Sequence, residues 1–355
     1  METVLFFLTL STTMTLAAGN CCSMKSVNWR DSRGGIYIFK TRGNPTNFPD
    51  VCDDECFYTR QNDYTGQLYC FGRGDLTSQC SGTSVVLIGG GQFHRSETLN
   101  CGNLTKFDDL DIQDIGTAFF QNSIYACGGY SRNGASNKCY KSADGTWNND
   151  VVPMNLVRTD FTLNTVGKYL VAAGGTDYTG NAKSKTTVEV FNGTEWKLMN
   201  LTLKVPRHGH CAVTISETKI VLIGGDTRVE KIDVESLETE IIEEMEIRIF
   251  YPSCALFDGS IFIAGGQTND ALDSVEVLDL NSYTWRSVQS LNHKRSDAFM
   301  LVVDNRLTIY GGWNNELDRA STLSSSEEYA KETGWKVFPL AFPHVFHSAV
   351  VMPCN

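Results

Sequence analysis

Short runs of apolar and β-branched residues, each ending in a pair of glycines, recur along most of this chain. In residues 220–225, for example, Ile-Val-Leu-Ile is followed by Gly-Gly. Six such doublets begin at residues 89, 128, 174, 224, 265 and 311. Because a short run rich in Val and Ile and bounded by glycines is typical of a strand, the pattern predicts a repeated β unit.

The same features surround the doublets in a fixed order. A second run, as in residues 187–191, alternates polar and apolar positions, which predicts a half-buried strand. A tryptophan follows that run in four units, and another short run, often opened by an arginine, precedes the doublet. Each unit is therefore predicted to contain four strands. The tryptophans are Trp147, Trp196, Trp285 and Trp335.

A single four-stranded sheet cannot bury both of its faces, whereas sheets stacked around an axis can. Six doublets therefore predict six blades. Residues 343–351 match the run that precedes other doublets, but no doublet follows them, and the doublet at Gly89 lacks such a run. We predict that the C-terminal run supplies the missing first strand and closes the ring.

The doublet, the alternating run, the tryptophan and the Pro-Arg opening together resemble the kelch repeat over roughly residues 81–355. The resemblance implies an all-β fold, namely a six-bladed kelch-type β-propeller closed by the C-terminal strand. The first unit departs from the pattern because it lacks the tryptophan, and the fourth has an acidic run, residues 235–240, in its place. The Gly-His and Trp-Asp pattern of WD repeats does not recur, which disfavours that class.

The N-terminal residues differ from the repeats. An apolar stretch with the small residues Ala17 and Gly19 at its end predicts a signal peptide over residues 1–19, although its start has no Lys or Arg. A buried N-terminal strand is the alternative.

Residues 20–80 contain six cysteines and few periodic strands, which predicts a small Cys-rich module. No other apolar run approaches the length of a membrane span. We therefore expect a secreted, extracellular protein without a membrane span.

The chain has 12 cysteines, all after the predicted cleavage point, which suggests disulfide bonds. Cys127 and Cys139 fall on predicted neighbouring strands and are expected to pair. Cys80 precedes the first doublet's strand and Cys354 ends the closing strand, so a Cys80–Cys354 bond could fasten the ring. Sequence alone does not fix this connectivity.

Other cysteines invite different interpretations. Cys211 and Cys254 are predicted in inner strands of different blades, and we expect them to be buried free thiols. The spacing of Cys52 and Cys56 could suggest zinc, but no second close pair of Cys or His completes a set of four ligands.

Three glycosylation sequons, at Asn103, Asn192 and Asn200, agree with export. Asn192 with Gly193 would serve equally well as a hairpin turn.

In kelch propellers that bind peptides, the arginine that opens the first strand often faces the mouth of the central channel. The resemblance thus implies ligand-binding roles for Arg158, Arg207, Arg248 and Arg295, with His344 in the same position of the closing unit. Guanidinium groups there would suit carboxylate, sulfate or phosphate. The alternative is that each arginine binds loop carbonyls of its own blade.

Metal and nucleic-acid binding are disfavoured. The richest histidine set, His208, His210, His344 and His347, is predicted to be divided between opposite blades, so no metal or other cofactor is expected. The net charge of −11 and the absence of a Lys/Arg-rich run disfavour nucleic acid.

Three hypotheses of function remain. The favoured one is a secreted scaffold that binds a protein or glycan ligand at the propeller mouth. The second is a carbohydrate-active enzyme, as in copper-dependent sugar oxidases and sialic acid mutarotases with kelch-like propellers. The Tyr/His copper set and common hydrolase motifs are not visible in this sequence. The third is an intracellular-type substrate adaptor or actin binder, a class that usually carries an additional helical domain.

Overall fold

The computed structural model describes residues 112–143, 146–178, 184–314, 321–339 and 348–353, together with strands between residues 27 and 98. None of the described residues lies in an α-helix. Accordingly, the described part of the chain has no helix long and apolar enough to cross a membrane. The chain divides into two compact units, Met1–Gln79 and Cys80–Asn355.

The first unit contains two antiparallel hairpins among its described residues. Strands β1 (Val27–Arg30) and β2 (Ile36–Phe39) form one, and β3 (Asp54–Arg60) and β4 (Gly66–Gly72) form the other. Residues 1–19, the predicted signal peptide, lie outside the described residues.

Among its described residues, the second unit contains five four-stranded antiparallel blades, which we call blades A to E in chain order. The strands of blade A are β7 (Gly116–Phe120), β8 (Ser123–Cys127), β11 (Cys139–Ser142) and β12 (Trp147–Val151). Those of blade B are β13 (Thr162–Val166), β14 (Tyr169–Ala173), β15 (Lys185–Phe191) and β16 (Trp196–Arg207). Those of blade C are β17 (Cys211–Thr214), β18 (Lys219–Ile223), β19 (Arg228–Asp233) and β20 (Glu238–Glu244).

Two further blades repeat this arrangement. The strands of blade D are β21 (Ser253–Phe257), β22 (Ser260–Ala264), β23 (Val275–Asp279) and β24 (Trp285–Ser287). Those of blade E are β25 (Phe299–Val303), β26 (Arg306–Tyr310), β29 (Ser325–Ala330) and β30 (Gly334–Pro339). Two-stranded ribbons lie in the loops of blades A and E: β9 (Tyr130–Ser131) with β10 (Gly134–Ala135), and β27 (Trp313–Asn314) with β28 (Ser321–Thr322).

A further sheet, which we call the closing sheet, has three described strands. They are β31 (Ser348–Pro353), β5 (Thr83–Ile88) and β6 (Ser96–Thr98). The structure therefore shows five complete blades, where the sequence predicted six four-stranded blades.

The C-terminal strand pairs with the strand of the first doublet, as the sequence predicted. Strand β31 is antiparallel to β5, with Ser348 opposite Ile88 and Pro353 opposite Thr83. The hydroxyl of Ser348 also hydrogen-bonds to that of Thr117 in blade A. First strands of successive sheets contact one another in the order β31, β7, β13, β17, β21 and β25, and β25 contacts β31. Cys80 and Cys354 lie outside the described residues.

The core lies between neighbouring blades. Second strands are the most buried, and Ile220, Val221, Leu222 and Ile223 of blade C are 0% exposed. Apolar side chains of adjacent blades form common clusters across each interface from A to E. Burial of both faces of each sheet is the hydrophobic gain that holds the blades together.

The glycine doublets are required by backbone geometry. Gly174 and Gly175 have φ angles of +66° and +89°. A Cβ atom would lie 2.8 Å from the carbonyl oxygen of Arg207 at Gly174, and 2.8 Å from that of Thr159 at Gly175. Only glycine permits both the conformation and this close approach.

Two disulfides occur among the described residues. Cys127 and Cys139 face each other on β8 and β11 and are bonded, which is the pair expected from the sequence. Cys211 and Cys254 are also bonded, with Cα atoms 6.0 Å apart, so the expectation of free thiols is wrong. Because the first strands of blades C and D contact each other, cysteines about one repeat apart come within bonding distance.

We expect the Cys211–Cys254 bond to stabilise the ring more than the Cys127–Cys139 bond. The two bonds span 43 and 12 residues, and closing the longer loop removes more entropy from the unfolded chain. The Cys211→Ser/Cys254→Ser variant should lose about 2–4 kcal/mol of unfolding free energy. Urea unfolding followed by tryptophan fluorescence measures this loss, with Cys127→Ser/Cys139→Ser as the comparison. Unchanged unfolding of the first variant would contradict the expectation.

Candidate functional site at the axial entrance

Three of the four arginines predicted to bind a ligand are buried inside their own blades. Arg158, Arg207 and Arg295 are 0% exposed. In blade E, Arg295 Nη1 donates to the carbonyl oxygen of Gly311 at 2.6 Å, and Nη2 donates to Glu327 Oε1 at 2.8 Å. The prediction that these arginines face a ligand is therefore wrong for all three. The alternative interpretation, in which each arginine binds groups within its blade, describes them.

The same arrangement recurs in blades B and C. Arg158 Nη1 donates to Gly174 O at 2.6 Å, and its Nη2 lies 3.1 Å from Glu189 Oε1. Arg207 Nη1 donates to Gly224 O at 3.0 Å, and its Nη2 lies 3.2 Å from Glu230 Oε2. Each arginine therefore joins the first glycine of a doublet to a glutamate on the third strand.

The glutamates in turn bind the loop that enters the blade. Glu189 accepts hydrogen bonds from the backbone N–H groups of Asn155 and Leu156 at 2.6 and 3.2 Å. Glu327 accepts the backbone N–H of Asn292 at 2.7 Å. Burial alone would raise the pKa of Glu327, but this N–H and Arg295 lower it overall. The carboxylate is thus charged at neutral pH and holds the loop rigidly.

Arg248, the fourth predicted arginine, occupies a different position. The N–H of Gly175 donates to Arg207 O at 2.9 Å, and the corresponding N–H of Gly225 donates to Ile249 O at 2.8 Å. Ile249 is therefore the counterpart of the buried arginines, and Arg248 precedes it. Arg248 is exposed, and its Nε donates to Gly225 O at 2.7 Å. His344 lies outside the described residues.

Each of blades A to E has a residue in the left-handed conformation two residues after the buried arginine or its counterpart. We call these residues the entrance ring, and their φ angles lie between 52° and 55°. The N–H of each of three members donates to the carbonyl oxygen of the preceding member, at 3.0, 2.7 and 3.3 Å. The described members are Asp114, Asp160, Gly209, Tyr251 and Asp297. Because they immediately precede the contacting first strands, they surround the axis at one end.

A network of carboxylate and phenol groups lies at the entrance ring. The hydroxyl of Tyr178 hydrogen-bonds to Asp160 and also interacts with the hydroxyl of Tyr251. Burial and the negative charge of Asp160 raise the pKa values of both tyrosines above their ordinary range. Both phenols therefore stay protonated at physiological pH and can donate hydrogen bonds.

Tyr178 of this network and the neighbouring Tyr130 are open to solvent. Tyr130 and Tyr178 are 37% and 43% exposed, and their ring centroids are 5.6 Å apart in an edge-to-face arrangement. Exposed tyrosines on fixed loops are typical of protein-binding surfaces. Asp160, Tyr178 and Tyr251 were not predicted from the sequence. The regular offset of Asp160 and Tyr251 from the arginine position was the available signal, whereas Tyr178 has no such offset.

Two of the described histidines, His208 and His210, flank Gly209 of the entrance ring. His208 Nδ1 is 2.7 Å from Ser184 Oγ, whereas His210 is buried with its Nε2 3.3 Å from Thr162 Oγ1. Burial lowers the pKa of His210 well below its ordinary value, so its imidazole is neutral. Among the described residues, no group of three or more His, Cys, Asp or Glu side chains could hold a metal ion.

Two sequons lie in the outer part of blade B. Asn192 is in the turn before β16, where its Oδ1 accepts the N–H groups of Thr194 and Glu195 at 2.9 Å each. Asn200 is an exposed residue of β16. Asn103 lies outside the described residues.

The blades and the entrance ring define a β-propeller whose loops converge at one end of the axis. The solved structure titled "Structure of YjhT" has the same fold, with a TM-score of 0.62, 13% identity and coverage of 73% of this chain and 95% of that chain. Residues 248–292 match the family model described as "Kelch motif".

Curated relatives also carry this repeat. An F-box/kelch-repeat protein of Arabidopsis thaliana is 29% identical over 135 residues, which cover 35% of this chain and 32% of that protein. A kelch repeat-containing protein of Caenorhabditis elegans is 23% identical over 181 residues, which cover 46% of this chain and 30% of that protein. The matched regions thus span about a third of these relatives. The chain belongs to the kelch-repeat β-propellers.

We expect the buried ion pairs to be essential for stability. In Arg295→Met, Glu327 would lose its cation in a buried environment, at a cost of about 3–5 kcal/mol in unfolding free energy. Arg306→Met is the control, because Arg306 pairs with Glu328 on the surface, with 58% of its side chain exposed. It should cost no more than about 1 kcal/mol. Equal losses in denaturant titrations of the two variants would contradict the expectation.

Proposed function

We propose that this protein is a secreted kelch-repeat scaffold that binds a protein ligand at its axial entrance. The observation that carries the proposal is the exposed Tyr130–Tyr178 pair beside the Asp160 carboxylate and the protonated phenol of Tyr251. Tyrosines supply apolar contact area together with a hydrogen-bonding tip, and the rigid loops present them without much loss of conformational entropy.

We also infer that the closing sheet is a sixth blade. Its first strand, β31, contacts the first strands of blades A and E, so the ring of first strands is closed. A fourth strand of this sheet would come from residues outside the described ones. The entrance would then be surrounded on all sides, as a binding mouth requires.

The disulfides support the secreted location. Bonds such as Cys127–Cys139 and Cys211–Cys254 persist in oxidising compartments and are rare in the cytosol. The F-box in the name of the Arabidopsis thaliana relative belongs to a protein of which this chain matches about a third.

A glycan is the second candidate ligand. The exposed face of Tyr178 adjoins the Asp160 carboxylate, and an aromatic face beside hydrogen-bonding groups also suits a sugar ring.

Export is tested by mass spectrometry of protein secreted from eukaryotic cells, before and after reduction and deglycosylation. We expect an N-terminus near Asn20, glycans on Asn192 and Asn200, and a peptide pair linked through Cys80 and Cys354. Asn103 should carry a glycan as well. An intact Met1 with free thiols would overturn the export proposal and favour an intracellular adaptor.

Ligand capture at the entrance can be tested with a photo-crosslinking amino acid, p-benzoylphenylalanine, at Tyr178. We expect a discrete adduct with an extracellular or cell-surface protein. The same amino acid at Val337, which is 36% exposed on the outer strand of blade E, is the matched control.

Binding of the captured protein should then weaken about tenfold or more in Tyr130→Ala/Tyr178→Ala, because interface tyrosines often contribute 2 kcal/mol or more. Identical adducts from positions 178 and 337 would contradict binding at the entrance. Adduct formation with glycans alone would favour the second candidate ligand.

A further inference from the structure

We propose that Arg248, Phe250 and His208 form a preorganised subsite for a carboxylate of the ligand. This inference rests on the proposed function, because it assigns the subsite to an acidic side chain of a bound protein. The three residues lie in loops that enter blades C and D, beside the entrance ring.

The guanidinium of Arg248 is held in place without using its terminal nitrogens. Its Cζ lies 4.6 Å from the centroid of the Phe250 ring, and its Nε donates to Gly225 O at 2.7 Å. Among the described residues, nothing hydrogen-bonds to Nη1 or Nη2. The stacking and the single anchoring bond fix the plane of the group, so little rotamer entropy remains to be lost on binding.

His208 lies against the same phenyl ring. The centroids of His208 and Phe250 are 5.4 Å apart, and His208 Nδ1 is 2.7 Å from Ser184 Oγ. The hydroxyl bond orients the imidazole and leaves Nε2 unused among the described residues. Burial, and then the positive charge of Arg248, lower the pKa of His208. A bound anion between the two groups would reverse that charge effect.

The chemistry of the surroundings favours a singly charged, planar anion. A carboxylate can accept two parallel bonds from Nη1 and Nη2 of one arginine. Asp160 and Asp297 belong to the same entrance ring, and their negative charges oppose a doubly charged anion such as phosphate more strongly than a singly charged carboxylate. We therefore assign the subsite to the carboxylate of an Asp or Glu side chain.

Acetate is a suitable probe that needs no identified ligand. Sodium acetate is titrated into the full, disulfide-bonded chain, and the imidazole signals of His208 are followed by NMR against sodium chloride at equal ionic strength. We expect a saturable shift with acetate that disappears in Arg248→Gln and persists in Arg286→Gln, an exposed control on β24. Phosphate should shift these signals at higher concentration than acetate. Equal shifts with acetate and chloride, or an unchanged acetate shift in Arg248→Gln, would overturn the proposal.

Selection of a displayed random peptide library separates this proposal from the proposed function. Wild type and Arg286→Gln should enrich peptides with Asp or Glu at one fixed position. Arg248→Gln should still enrich peptides but bind the acidic ones at least about tenfold more weakly, since a charge-assisted hydrogen bond is lost. Retained acidic preference in Arg248→Gln would refute the subsite alone. Failure of every form to enrich any peptide would count against protein binding, and the acetate titration would still decide the subsite.

Discussion

The structure depends on the need of every four-stranded sheet to bury both of its faces. The second strand of blade C, β18, contains four consecutive residues with no exposed surface, which is possible only when a blade covers each side. Apolar clusters accordingly join neighbouring blades instead of lying within one blade. The pairing of β31 with β5 extends this rule to the chain ends, since it brings the two ends of the repeat array into one sheet.

Close packing of the blades determines which polar groups remain available for function. Where first strands converge, the guanidinium of Arg158 cannot reach water, and it binds Gly174 O and Glu189 instead. Glu189 then holds the loop that leads into the blade. The arginines therefore act indirectly, because they fix the loops that carry entrance residues such as Asp160. Rigid loops of this kind suit recognition, since their ordering is complete before a ligand arrives.

The fold was predictable because its signals are local. Doublets and alternating runs mark the blades, a tryptophan follows the run in four of them, and the unmatched C-terminal run indicated the closure by β31. The burial of Arg295 was not predictable in this way, since its partner Glu327 is on another strand and arginines of open and buried sites look alike in sequence. Bonding of Cys211 to Cys254 likewise depends on the distance between two blades, which no local pattern reports.

Blades A and D depart from the repeat, and such departures distinguish one part of a nearly symmetric ring from another. In blade D the arginine position is occupied by Ile249, and Glu276, the counterpart of the buried glutamates, is only half-buried. In blade A the position is occupied by Ile112, and the third strand has Tyr140 in place of the glutamate. A buried arginine–glutamate pair thus occurs in blades B, C and E, whereas blades A and D have no such pair among their described residues. Blade D also presents Arg248 outside the buried position, stacked on a ring and open to solvent. Because Arg248 does not occupy the buried position of its counterparts, its terminal nitrogens are available to a ligand.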